Sequence, residues 1–215
     1  MSGAIGYYVS NSSKNFREWV DAVNEDLLNY GISPYEPDFN LYDKYEQGKV
    51  VLPGYHDLPG MDLYTSKKAI IRRLKTIALE FEYDPSWTPD NDALFIGQPI
   101  IYELVEEVFQ GKRPHFITHV LHCGYYVPVD FGDVQLPYWD LQTLGSSFSL
   151  FHELEEVARK LNFDLGEYTP NFINLHERMI EEFFDEPLYN EKLVLLELYN
   201  ITLGSIKNNI AIVFS

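Results

Sequence analysis

The sequence predicts an α+β fold: a small, mainly antiparallel sheet with about five to six helices packed on it. Three observations carry this expectation. Apolar residues recur at intervals of three and four in several long windows, which is the period of a helix with one buried face. Short runs rich in aromatic and β-branched residues stand near both ends and in the middle of the chain, as strands would. At 215 residues and 46% hydrophobic composition, the chain has material for one sizeable core, so residues 1–215 read as a single globular domain.

The first run, residues 3–10, carries Ile5, Tyr7, Tyr8 and Val9 without helical spacing and predicts a strand. Ser12 and Ser13 can cap a helix. Phe16, Trp19, Val20, Val23, Leu27 and Tyr30 then fall on one helical stripe, with Arg17, Glu18, Asp21, Asn24, Glu25 and Asp26 between them, and Gly31 closes the pattern. From Ile32 to Tyr64 periodicity disappears and prolines and tyrosines accumulate, so this segment is expected to lie across the core as a packed loop or a lid.

Thr65 and Ser66 introduce a second helical pattern, with Ile70, Leu74, Ile77 and Phe81 on its apolar face. Lys67, Lys68, Arg72, Arg73 and Lys75 surround that face, where they form either a basic recognition surface or an internal counterweight to the acidic remainder. Pro99 to Gly111 reads as a third helix. Two readings of His115 to Phe131 compete. In the favoured one, Phe116–Leu121 and Tyr125–Phe131 are antiparallel strands joined through His122, Cys123 and Gly124. In the other, a helix beginning at Pro114 places His115, His119 and His122 on one face with the spacing of a three-imidazole zinc site. The β-branched residues Ile117, Thr118 and Val120 favour the strand.

Leu144-Gly145-Ser146-Ser147 leads into a helix with Leu150, Phe151, Leu154, Val157, Ala158 and Leu161 on its buried side, capped by Ser146 or Ser147. A helix is also expected from Thr169, another from Leu188 to Leu203 ended by Gly204, and a last strand at Ile210–Phe214.

Function is less constrained. Lys and Arg total 16 against 33 Asp and Glu, a formal charge of −17. Such a surface repels phosphates, so no nucleic-acid partner and no membrane surface are expected, and a charged partner should be a basic protein. The N-terminus lacks the pattern of a secretory signal, no apolar run approaches a membrane span, and one cysteine is no disulfide framework. Together these point to the cytoplasm. No cofactor is expected.

The segment Gly124-Tyr125-Tyr126-Val127-Pro128-Val129-Asp130-Phe131, with Leu144-Gly145-Ser146-Ser147 and Leu154-Glu155-Glu156, resembles small uncharacterised bacterial proteins, some of them similar to toxin-immunity proteins. The resemblance implies a protein-binding role and transfers no functional residue.

Three function classes are compatible with these features. The first is a non-enzymatic, acidic protein-binding domain, immunity-like, with Tyr125, Tyr126, Asp130, Trp139, Ser146 and Ser147 as binding residues. The second is a metal-dependent hydrolase using His115, His119 and His122. The third is a structural subunit of an oligomer.

Overall fold

The computed structural model describes residues 3–5, 13–40, 63–89, 108, 114–119, 125–132, 136–138, 142–168 and 187–214. Eleven elements lie within them: β1 (Gly3–Ile5), α1 (Ser13–Asn29), α2 (Leu63–Tyr83), α3 (His115–Thr118), β2 (Tyr125–Val127), β3 (Leu136–Tyr138), β4 (Gln142–Ser146), α4 (Ser147–Lys160), α5 (Leu165–Tyr168), α6 (Tyr189–Asn208) and β5 (Ile212–Phe214). The third expected helix, apart from residue 108, and the helix expected from Thr169 fall outside the described residues.

The sheet has the order β1-β5-β2-β4-β3. β5 runs antiparallel to both β1 and β2, β4 runs antiparallel to β3, and β2 and β4 are parallel, with Tyr126 opposite Gly145. This corrects the expectation of a small, mainly antiparallel sheet. Helix dominates the described residues, and the sheet is mixed, with a parallel pair between β2 and β4. Chain order accounts for the geometry: β3 takes the far edge and β4 turns back between β3 and β2, so β4 must point the same way as β2.

The expected hairpin through His122-Cys123-Gly124 is also corrected. His115–Thr118 forms one helical turn, and β2 pairs with β4 and β5. The turn is held from outside: the Glu153 carboxylate accepts the N–H groups of His115 (2.7 Å) and Phe116 (2.6 Å), and Thr118 Oγ1 donates to the Pro114 carbonyl. Two amides without an intrahelical acceptor at a helix start are a natural carboxylate site, and this contact outweighs the β preference of Ile117 and Thr118.

Each face of the sheet is covered. Tyr125 and Val127 point to the side where α1 lays down Phe16, Trp19, Val20, Val23 and Leu27, and Leu144 joins them there. Tyr126 and Ile212 point to the other side, against α2, α4 and α6. The alternation along β2 is the period of two expected of a strand with both faces buried. α6 packs against α2, α4, α5, β1 and β5, and its run Leu193–Leu198, apolar except for Glu197, is buried all round. It passes through Gly204 and ends at Asn209, which takes the left-handed conformation (φ 53°) expected of Gly204.

α1 ends where Gly31 predicts. Gly31 has φ 72°, its N–H reaches the Leu28 carbonyl (2.9 Å), and the Ile32 N–H reaches the Leu27 carbonyl (2.9 Å). This paired closure fixes the last turn, with Ile32 packed on the cluster that holds Leu27.

Candidate functional site

The residues singled out from sequence have different fates. Tyr126 has no exposed surface. Its ring stacks on His119 (centroids 4.0 Å apart) and its hydroxyl donates to the His115 carbonyl (3.1 Å). Burial, then the charge of Glu153, pushes that phenol well above its ordinary value.

Ser146 and Ser147 are also fully buried. Ser146 is the N-cap of α4: its Oγ accepts from the Ser149 N–H (3.1 Å) and donates to the Val129 carbonyl (2.7 Å). Ser147 Oγ meets Ser205 Oγ at 2.8 Å. These three expected binding residues lie in the interior of the fold. Tyr125 is half-buried beside Trp19, Asp130 is exposed, and Trp139 lies outside the described residues.

The histidines do not assemble as a zinc site among the described residues. His115 Nδ1 accepts the Ser146 N–H (2.8 Å), and His119 Nε2 donates to the Tyr125 carbonyl (3.0 Å). Both rings are buried, each with one nitrogen committed to the backbone of the sheet. His122 lies outside the described residues, and no group of three possible ligands occurs within them.

Lys75 belongs to the same interior. Its ammonium donates to the His119 carbonyl (2.6 Å), and burial draws its pKa down to about 7 against the opposing pull of Glu153. His115, His119, Tyr126, Glu153 and Lys75 therefore form a structural network where α2, α3, α4 and the sheet meet.

The acidic residues divide into two populations. On α4, Glu156 pairs with Arg159 and Lys160, and Glu155 with His152; Lys160 also reaches Glu82 on α2. Buried Glu191 on α6 meets Arg73 of α2 at 3.0 Å. Cations from the same helix or a neighbour thus offset much of the described acidity of this side.

The other population lies on α1. Its apolar stripe faces the sheet, which leaves Glu18, Asp21 and Glu25 exposed along the opposite side at intervals of three and four, with Asp26 half-buried beside them.

A second row runs alongside. Asn24 holds Tyr35 by two hydrogen bonds, Tyr35 N–H to Oδ1 (2.7 Å) and Nδ2 to the Tyr35 carbonyl (3.0 Å). Tyr35 is itself buried, and its hydroxyl donates to the Asn209 carbonyl and accepts from the Ala211 N–H, each at 3.1 Å. Further along, Phe39 packs edge-on to Phe16 and lies under the Arg17 guanidinium at 4.0 Å. Residues 35–39 therefore lie along α1 from Asn24 back to Phe16, and they carry the exposed carboxylates of Glu36 and Asp38.

Among the described residues, no cation lies within ion-pair distance of Asp21, Glu25, Asp26 or Glu36. The crowding is felt chemically: burial, then the Glu25 charge, raises the Asp26 carboxyl above its usual value. Sequence reading did not single out this surface, although its signal was present in the spacing of Glu18, Asp21 and Glu25 on a predicted helix.

A family model described as "Putative DNA-mimic protein" matches residues 8–214. The chain belongs to that family. Membership in the DNA-mimic family replaces the toxin-immunity resemblance, which rested on about forty residues around β2 and β4. It also corrects the partner expectation in one respect, the exclusion of nucleic acid: the family's description makes DNA the thing imitated, which implies a DNA-binding protein as the partner and is compatible with the expected basic surface. No curated protein and no solved structure matches the chain. No helix among the described residues is long and apolar enough to cross a membrane.

Proposed function

We propose that the chain acts as a stand-in for DNA, presenting the acidic face of α1 and the segment 35–39 to the DNA-binding surface of a protein and occupying it in place of a duplex. The observation that carries this reading is the set of exposed carboxylates on α1 and on the segment 35–39 held against it. From Glu18 to Asp26 the helix rises roughly 12 Å, and over that length the four carboxylates of Asp21, Glu25, Asp26 and Glu36, with no cation in ion-pair distance among the described residues, give about one negative charge per 3 Å. Duplex DNA carries one per about 1.7 Å. Arg and Lys side chains arranged for phosphates can engage carboxylates in the same geometry.

The action is occupancy and requires no reaction. The chain works in this reading as one domain over residues 1–215. Support comes from the extent of the family match and from the pairing of β1 with β5, which joins the two ends of the chain. A cytoplasmic site of action fits the single cysteine.

The test is displacement of labelled duplex DNA from a panel of DNA-binding proteins of the host cell, read by gel shift at low salt. The wild-type chain should displace DNA from at least one of them, and an Asp21→Asn, Glu25→Gln, Glu36→Gln variant should require at least about ten-fold more protein. Displacement that survives these three substitutions unchanged, or no displacement of any panel member, would contradict the proposal.

A further inference from the structure

Glu36 lies in an irregular segment, yet both peptide groups that flank it are held by side chains. On its N-terminal side the Tyr35 carbonyl accepts from Asn24 Nδ2 of α1 (3.0 Å), and on its C-terminal side the Glu36 carbonyl accepts from Asn209 Nδ2 at the end of α6 (2.6 Å). Buried Pro37 follows, and a proline confines the residue before it to extended backbone. The direction in which the Glu36 side chain leaves the backbone is thereby fixed.

The closure of α6 does not use the Asn209 side chain. Its left-handed turn (φ 53°) is closed by backbone groups, the Asn209 N–H to the Ile206 carbonyl (3.4 Å) and the Ile210 N–H to the Ser205 carbonyl (3.0 Å). The Tyr35 hydroxyl likewise meets the backbone of Asn209 and Ala211. A glycine would serve this turn equally well, and what the asparagine adds is the donor to Glu36. The carboxylate held in this way is exposed and has no cation within ion-pair distance among the described residues. A group already placed for its partner loses less freedom on binding, so holding Glu36 favours association with a cation from outside.

Resting on the DNA-stand-in reading above, we infer that Asn209 is a positioning residue for the partner surface: with Asn24 it fixes the backbone at Glu36, and Glu36 is the carboxylate outside α1 that takes an arginine or lysine of the DNA-binding protein.

The test is a double-substitution cycle in the displacement assay, read on labelled duplex DNA bound to the panel protein that the wild-type chain displaces most readily. Asn209→Gly keeps the left-handed turn and its backbone bonds and removes only the donor. It should require about five-fold more protein than the wild type for half-displacement. In a Glu36→Gln chain, where the carboxylate is already lost, adding Asn209→Gly should change half-displacement by less than about two-fold. Asn209→Asp removes the donor and adds a negative charge; it should also displace less well than the wild type, whereas a surface acting by charge alone would gain from it. Equal displacement by the wild type and the glycine variant, a gain in the aspartate variant, or the same loss from Asn209→Gly with and without the Glu36 carboxylate would overturn the inference and leave the acidic-face reading intact. Absence of displacement by the wild type from every panel member would overturn both.

Discussion

Asn24 and Tyr35 form a two-point clamp, one side-chain amide holding both the N–H and the carbonyl of a residue eleven positions later. The clamp sets residues 35–39, with Glu36 and Asp38, against α1. Asn24→Ala should cost about 1–3 kcal/mol of unfolding free energy, because it leaves two partly buried backbone groups without their partner. The same variant should lose part of its ability to displace DNA, with the substitution of no charged residue. Urea denaturation and the displacement assay, run on one preparation, check both.

Gly145 lies under Tyr126. A Cβ there would come within 2.6 Å of the Tyr126 ring and 3.1 Å of His119, and the ring has no free space because it stacks on His119 and bonds the His115 carbonyl. Gly145→Ala should therefore destabilise the protein by about 1–3 kcal/mol through overpacking, measured as a lowered denaturation midpoint. A midpoint equal to that of the wild type would show that the Tyr126–His119 stack yields cheaply.

Lys75 gives the fold a pH dependence of defined sign. Its folded pKa of about 7 lies below the ordinary value of 10.5 that describes the unfolded chain, so between these values the unfolded state binds more protons than the folded one. Stability should rise as pH rises through 7, by about 1–2 kcal/mol from pH 7 to 8.5, and the cost of charging the buried amine is fully present below that window. Lys75→Met should remove this rise. Denaturation curves at several pH values below 9 test it while avoiding the ionisation of tyrosines in the unfolded chain.

Much of this architecture is legible from residue order, and its departures have local causes. The period of Phe16, Trp19, Val20, Val23 and Leu27 marks α1, Gly31 marks its end, and Ser146 marks the start of α4. His115–Thr118 reads as strand because its own side chains favour one. The helical turn is imposed by Glu153, which lies 38 positions after His115 in the chain. The parallel pairing of β2 with β4 likewise depends on where β3 turns back, which residue patterns do not encode.

The placement of single side chains also depends on distant neighbours. Tyr126 is inside because Gly145 leaves room for it. The acidic residues look alike in sequence, and only their spatial neighbours separate Glu156, offset by Arg159 and Lys160, from Asp21 and Glu25 on α1.

If the α1 surface competes for a protein's DNA-binding site through charge, the salt dependence of displacement measures that competition most directly. For the wild-type chain and the Asp21→Asn, Glu25→Gln, Glu36→Gln variant, the concentration that displaces half of a labelled duplex from its binding protein is recorded from low to physiological salt, with the binding protein's own affinity for the duplex measured in parallel. After correction for that affinity, wild-type binding should weaken steeply with salt, and the variant should bind more weakly at low salt with a clearly shallower dependence. Equal slopes for the two chains would contradict a charge-driven competition.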